Sequence, residues 1–166
     1  MSKFLLLNRM SYDRALELAE QTCPYIDGFA INDLVLHYGC EIVYALKSMN
    51  KKILVDLPLS GPAKNITNNL YVLSSAGADL ISISHHSHYQ PPPKFVDKCV
   101  LSITDLANIE VIIESGNYKY VICKRQQLGY FKTSTKIIVV SNEEDNESEI
   151  IVRDWWTFVA KLNEKT

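Results

Sequence analysis

The sequence predicts an α/β fold, a parallel βα repeat that builds an incomplete or shortened TIM-like barrel. Three observations predict it. Apolar runs of strand length alternate with amphipathic stretches over the first 84 residues, turn and cap residues fall between them, and the second half continues the strand runs with fewer helices. Strand, helix and strand in succession call for right-handed crossovers and a parallel sheet covered by helices.

The elements follow in order. KFLLLN is the first strand, and Ser11 with Asp13 supplies an N-cap and a first-turn acid for a helix whose apolar stripe is Ala15, Leu16 and Ala19. Pro24 stops that helix before the second strand, IDGFAIN. Residues 33 to 49 read as helical with a break at Gly39, and the second part carries Ile42, Val43, Leu46 and Met49 at helical spacing. KKILVDL is the third strand. After Gly61 and Pro62 a further helix places Ile66, Leu70 and Leu73 on one face and closes at Gly77, where the C′ position favours glycine. DLISIS is the fourth strand.

Beyond it the proline-rich HHSHYQPPPK occupies the place of a helix. KCVLSI reads as a fifth strand, and Thr104 or Asp105 caps a helix bearing Leu106, Ile109 and Ile113 that ends at Gly116. YKYVICK and KIIVVS are the sixth and seventh strands, and the acidic NEEDNESE is a solvated loop. Ile151, Trp155, Phe158, Val159 and Leu162 then mark an amphipathic helix. Trp155 belongs to its stripe, whereas Trp156 sits at the margin or anchors a protein contact.

Composition bounds the rest. With 166 residues and 47% apolar content the chain holds one sizeable core, and a single domain is expected. Lys and Arg total 17 against 19 Asp and Glu, a formal charge of −2, so no broad footprint for nucleic acid or anionic lipid is present. The apolar run Phe4 to Leu7 is too short for a signal or a membrane span, which places the expected location in the cytoplasm. Cys23, Cys40, Cys99 and Cys123 form no C-x-x-C pair and read as reduced thiols. No cofactor is expected.

The order of these residues resembles the orotidine 5'-monophosphate decarboxylase superfamily over residues 3 to 86. The resemblance rests on ALELAE after the first strand, Asp27-Gly28 at the second, VDLPLSGPAKN around the third and AGADLISIS through the fourth. It implies a βα barrel, dimers, and an Asp-x-Lys-x-x-Asp motif on the third strand whose lysine protonates the carbanion left by decarboxylation. Here those positions read Asp56, Pro58 and Gly61, the lysine expected on the second strand is Ala30, and the ribose-binding aspartate of the first strand is Asn8. A lone carboxylate without either lysine supplies neither the proton nor the neutralising charge. The expectation is a degenerate, non-catalytic relative acting as a protein-interaction module. The alternative is a binding protein or residual enzyme for a nucleotide or sugar phosphate.

Ligand groups in such a fold stand at the carboxyl ends of the strands. The candidates there are Asn8, Asn32, Asp56, Ser60, His85, Lys124 and Arg125. Asp56 ends an apolar strand at the functional face, and its plainer role is a turn acceptor for Ser60 to Pro62. Lys124 and Arg125 could hold an anion, although the same residues make an ordinary exposed turn. His85, His86 and His88 carry metal-ligand chemistry, but adjacent side chains in an extended segment diverge, so they are read as a solvated loop and no metal is expected. An ordinary (βα)8 barrel needs about 200–250 residues. Seven strands, one helix fewer than expected and an uncovered apolar edge therefore predict a homodimer.

Overall fold

The computed structural model describes residues 1–104, 118–124, 127, 136–141 and 148–164. Eight strands run in chain order around a closed barrel: β1 (Ser2–Leu7), β2 (Gly28–Ile31), β3 (Lys52–Leu59), β4 (Leu80–Ser84), β5 (Cys99–Ser102), β6 (Tyr120–Lys124), β7 (Lys136–Val140) and β8 (Ile150–Asp154). Each pairs in parallel with its neighbour, and β8 returns to β1, with Ser2 opposite Ile150 and Phe4 opposite Val152. Among the described residues there are five α-helices: α1 (Tyr12–Thr22), α2 (Asp33–Tyr38), α3 (Cys40–Lys47), α4 (Ala63–Ala76) and α5 (Trp155–Asn163).

The fold class expected from sequence holds, with one correction. The described residues hold eight strands where seven are expected, and the sheet closes on itself, so the barrel does not have the open apolar edge expected from the sequence. The missing strand lies where the last helix is expected to begin. Ile150, Ile151 and Val152 are buried on both faces of β8, so their run is continuously apolar and joins the helical spacing of Trp155 and Phe158 by coincidence. Between β4 and β5 two 3₁₀ turns, His85–Ser87 and Pro93–Phe95, stand in place of a helix, as the prolines predict. The helix expected from Asp105 to Gly116 lies outside the described residues.

Strand alternation divides the core into two shells. Phe4, Ala30, Leu54, Leu80, Val100, Ile122, Ile138, Ile150 and Val152 fill the barrel axis. Leu5, Leu7, Phe29, Ile31, Ile53, Val55, Ile81 and Ile83 face outward against the helices, which present Ala15, Leu18, Ile42, Leu46, Ile66 and Leu70. Gly28 is needed where it stands, because a Cβ there would lie 2.6 Å from both the Lys52 carbonyl oxygen and the Phe4 ring. Gly39, at φ 59°, breaks the helical run into α2 and α3, and Gly77, at φ 108°, closes α4. Lys47 of α3 reaches both Asp79 carboxylate oxygens at 2.9 and 2.7 Å, and Asp79 also accepts the Ile53 amide at 2.8 Å, so α3, β3 and β4 are tied at the lower end of the barrel.

Candidate functional site

The carboxyl ends of the strands form the upper mouth. Extending the inward positions of the core by strand alternation brings Asn8, Asn32, Asp56, Ser82, Ser84, Ser102, Lys124, Val140 and Asp154 to the side of the axis. The polar residues of β1 to β5 stand on one side of this mouth. On the other side β6 to β8 place the apolar Ile122, Ile138, Val140 and Val152 together with the charged Lys124 and Asp154, and Val140, opposite Lys124, is 42% exposed.

A break in the ladder presents Asp56. On β3, Val55 pairs with Ile81 but Leu59 pairs with Ile83, so four steps of one strand answer two of the next and the intervening residues bulge at the mouth. Bulges of this kind re-aim side chains beside functional sites. Asp56 is half-buried, and loss of water around it holds its carboxyl above the usual aspartate range, with the Ser82 hydroxyl pulling the other way. The same hydroxyl lies 3.2 Å from the Val55 carbonyl, so its one proton has two acceptors in reach.

The first two loops are stapled together. Asn32 caps α2 and accepts the Asp33 amide at 2.6 Å, while the Asp33 carboxylate accepts the amide of Arg9 at 2.9 Å. Arg9 itself holds a left-handed φ of 54° directly after Asn8. Ser60 is exposed beyond the bulge. Lys124 is exposed at the end of β6, and its amide donates to Gln127 Oε1 at 2.9 Å. Arg125 lies outside the described residues.

His85 departs from the expected solvated loop. It follows β4 on the outward side, is 2% exposed, and its Nδ1 lies 3.1 Å from the Ser102 carbonyl oxygen. Together with Leu101, Tyr89 and Tyr118 it lines a cavity of about 160 Å³ outside the barrel wall, where the proline segment replaces a helix. Tyr89 of that segment is also buried, and its hydroxyl pairs with Thr67 at 2.8 Å, so the segment packs on α4. His86 and His88 are exposed as expected. Among the described residues no three His, Cys, Asp or Glu side chains gather as a metal ion would require.

Sequence reasoning missed Ser82, Ser102 and Asp154. The alternation in DLISIS carried Ser82 and Ser84 to one face, and the Asp154 signal was an N-cap residue ahead of an aromatic helix. Asp154 Oδ1 accepts the amides of Trp156 at 2.9 Å and Thr157 at 3.2 Å, and Oδ2 accepts the Thr157 hydroxyl at 2.7 Å. The opposite mouth differs in kind: Asp79, Asp97 and Glu149 line a hollow there of about 170 Å³, and each is paired with a lysine. That is the face where a barrel invests in stability.

No sequence-family model matches the chain, and no curated protein is similar to it by sequence. Solved structures do match. Orotidine 5'-phosphate decarboxylase from Pyrococcus horikoshii superposes with a TM-score of 0.76 at 18% identity, over 92% of this chain and 88% of that one. Orotidine 5'-monophosphate decarboxylase from Methanocaldococcus jannaschii gives 0.75 at 15%, over 99% and 98%. The 3-keto-L-gulonate-6-phosphate decarboxylase from Vibrio cholerae gives 0.71 at 10%, over 98% and 97%. The chain therefore shares its fold, distantly and repeatedly, with these decarboxylase barrels. Among the described residues no helix is long and apolar enough to cross a membrane.

Proposed function

We propose that this chain is a degenerate decarboxylase-like barrel, a single cytoplasmic domain that binds a small hydroxylated molecule of the nucleotide or sugar-phosphate type at its upper mouth without decarboxylating it. The observation that carries the reading is the β3 bulge, which sets the half-buried Asp56 beside Ser82 on the polar side of the mouth. A partly buried carboxylate in a cleft, with its charged form deprived of water, is a candidate ligand group. The positions where the resemblance implies lysines carry Ala30, fully buried on the axis, and Pro58, exposed in the bulge, so neither offers an amine to a developing carbanion.

Melting-temperature shifts across nucleosides, sugars and their phosphates test this. A ligand at 100 times its dissociation constant stabilises the fold by about 2.7 kcal/mol, and Asp56→Ala should abolish the shift. A set in which no compound moves the melting temperature would refute the reading.

A second reading, a protein-interaction module that assembles as a homodimer, is favoured by one observation. Trp156 is 70% exposed on α5, the type of side chain that anchors interfaces.

A further inference from the structure

The cavity beside His85 stands apart from the mouth, on the outer side of β4 and β5. Its walls are pinned by hydrogen bonds. The Tyr118 hydroxyl donates to the Tyr89 carbonyl at 2.7 Å, the Tyr89 hydroxyl pairs with Thr67 at 2.8 Å, and the Tyr89 amide donates to Ser87 Oγ at 3.3 Å. Ser87 Oγ in turn donates to the Ser84 carbonyl at 2.7 Å. The Ser102 carbonyl can only accept, so His85 Nδ1 carries the proton across the 3.1 Å between them; this fixes the ring and makes Nε2 of its neutral form an acceptor. His86 stacks on that ring with the centroids 3.7 Å apart. A hollow bounded by side chains held in this way is preformed, as small-molecule sites are.

Size and lining say what fits it. A cavity of about 150 Å³ takes one benzene ring, and this one measures about 160 Å³. Tyr89, Tyr118 and His85 give it flat aromatic walls, and Leu101 adds an apolar surface. Gln90 and His88 complete the lining and are exposed, so they mark its open side. The Gln90 amide presents a donor and an acceptor side by side, the complement of the N–H and C=O edge of another amide. We infer that this cavity is a second ligand site, which takes a single-ring heteroaromatic amide of the size of uracil or nicotinamide, with the ring against Tyr89 and Tyr118 and the amide edge at Gln90. The site shares none of its argument with the binding reading for the mouth, and either can stand without the other.

Methyl NMR titrations with nicotinamide and with uracil, at concentrations up to millimolar, test it. At least one of the two should shift the Leu101 methyl signals and leave those of Val140, at the mouth, in place. Gln90→Leu changes an exposed position outside the core and should weaken that probe roughly ten-fold. Leu101→Phe, which fills the hollow, should abolish binding; if thermal melting shows that this variant does not fold, Gln90→Leu decides. Asp56→Ala should bind the probe as the wild type does, which separates the cavity from the mouth. A wild type that binds neither probe, or a Gln90→Leu variant that binds as tightly as the wild type, overturns the inference. Signals that move at Val140 instead of Leu101, or binding lost in Asp56→Ala, trace the probe to the mouth and overturn it too.

Discussion

Replacing Gly28 by alanine adds one methyl group at the most crowded point of the barrel. Its Cβ would lie 2.6 Å from the Lys52 carbonyl oxygen and 2.6 and 2.7 Å from two Phe4 ring carbons. Phe4 is 1% exposed and central to the inner shell, so the ring has no neighbouring space to enter. The carbonyl belongs to β3, whose register with β2 runs from Lys52 to Val55. Overpacking of a tight core costs roughly 1–3 kcal/mol, and two rigid obstacles place this site at the upper end. The loss of glycine's unfolded-state freedom returns about 0.4–1 kcal/mol. The net expectation is a destabilisation of about 2 kcal/mol, or a fall in melting temperature of roughly 4–8 °C for a chain of this size. Urea and thermal unfolding read it directly. Phe4→Leu introduced with Gly28→Ala should recover part of the loss, since it clears the ring and leaves the carbonyl, giving a coupling energy between the two sites. A Gly28→Ala variant within about 0.5 kcal/mol of the wild type, or strictly additive effects with Phe4→Leu, would refute the packing account.

Other outcomes follow from the same structure. Because burial holds the Asp56 carboxyl above its unfolded value, the folded chain binds more protons there, and this group's contribution to stability falls as pH rises from the unfolded pKa through the folded one. Asp56→Asn should therefore stabilise the fold at neutral pH and lose that advantage in acid, which denaturant titrations at several pH values would show; an advantage independent of pH would contradict it. Gly77→Ala should cost about 1–2 kcal/mol, because φ is 108° and the new Cβ would press on Lys47 Cγ at 2.8 Å, as chemical denaturation would register. Orotidine monophosphate should remain intact in the presence of the protein, a point settled by following loss of its absorbance. Light scattering over a concentration series should give twice 18.9 kDa; a mass that stays at the monomer value counts against the dimer.

The first three βα units were legible because turn chemistry and apolar period both marked them. Ser11 caps α1 and accepts the Arg14 amide, and Gly77 takes the left-handed position that ends α4, so turn chemistry and apolar period agreed. β8 was not legible for a physical reason: a short strand buried on both faces has no period of its own, and Asp154 joins it to α5 without a loop. At the site, alternation was enough to bring Asn8, Asn32 and Asp56 to one mouth. It could not foresee that the residue after Ser84 turns outward into a buried cavity, which is where His85 lies. Nor does any local pattern announce the β3 bulge, since it arises from the mismatch between β3 and β4.

The seam between β1 and β8 sets a condition on how the chain is made. Its first strand acquires one neighbour with β2, but its other edge has no partner until residues 150 to 154 have been synthesised. At about 5–20 residues per second on the ribosome, that edge waits on the order of ten seconds or longer. During this interval Phe4 and Leu5 present an apolar ribbon with unpaired amides, the template on which chains aggregate. Contacts of such long sequence separation also form late, because the intervening loop must be closed first. Circular permutation that joins β8 to β1 through a short linker would turn the slowest pairing into a local one, and should speed refolding and raise the yield of soluble protein.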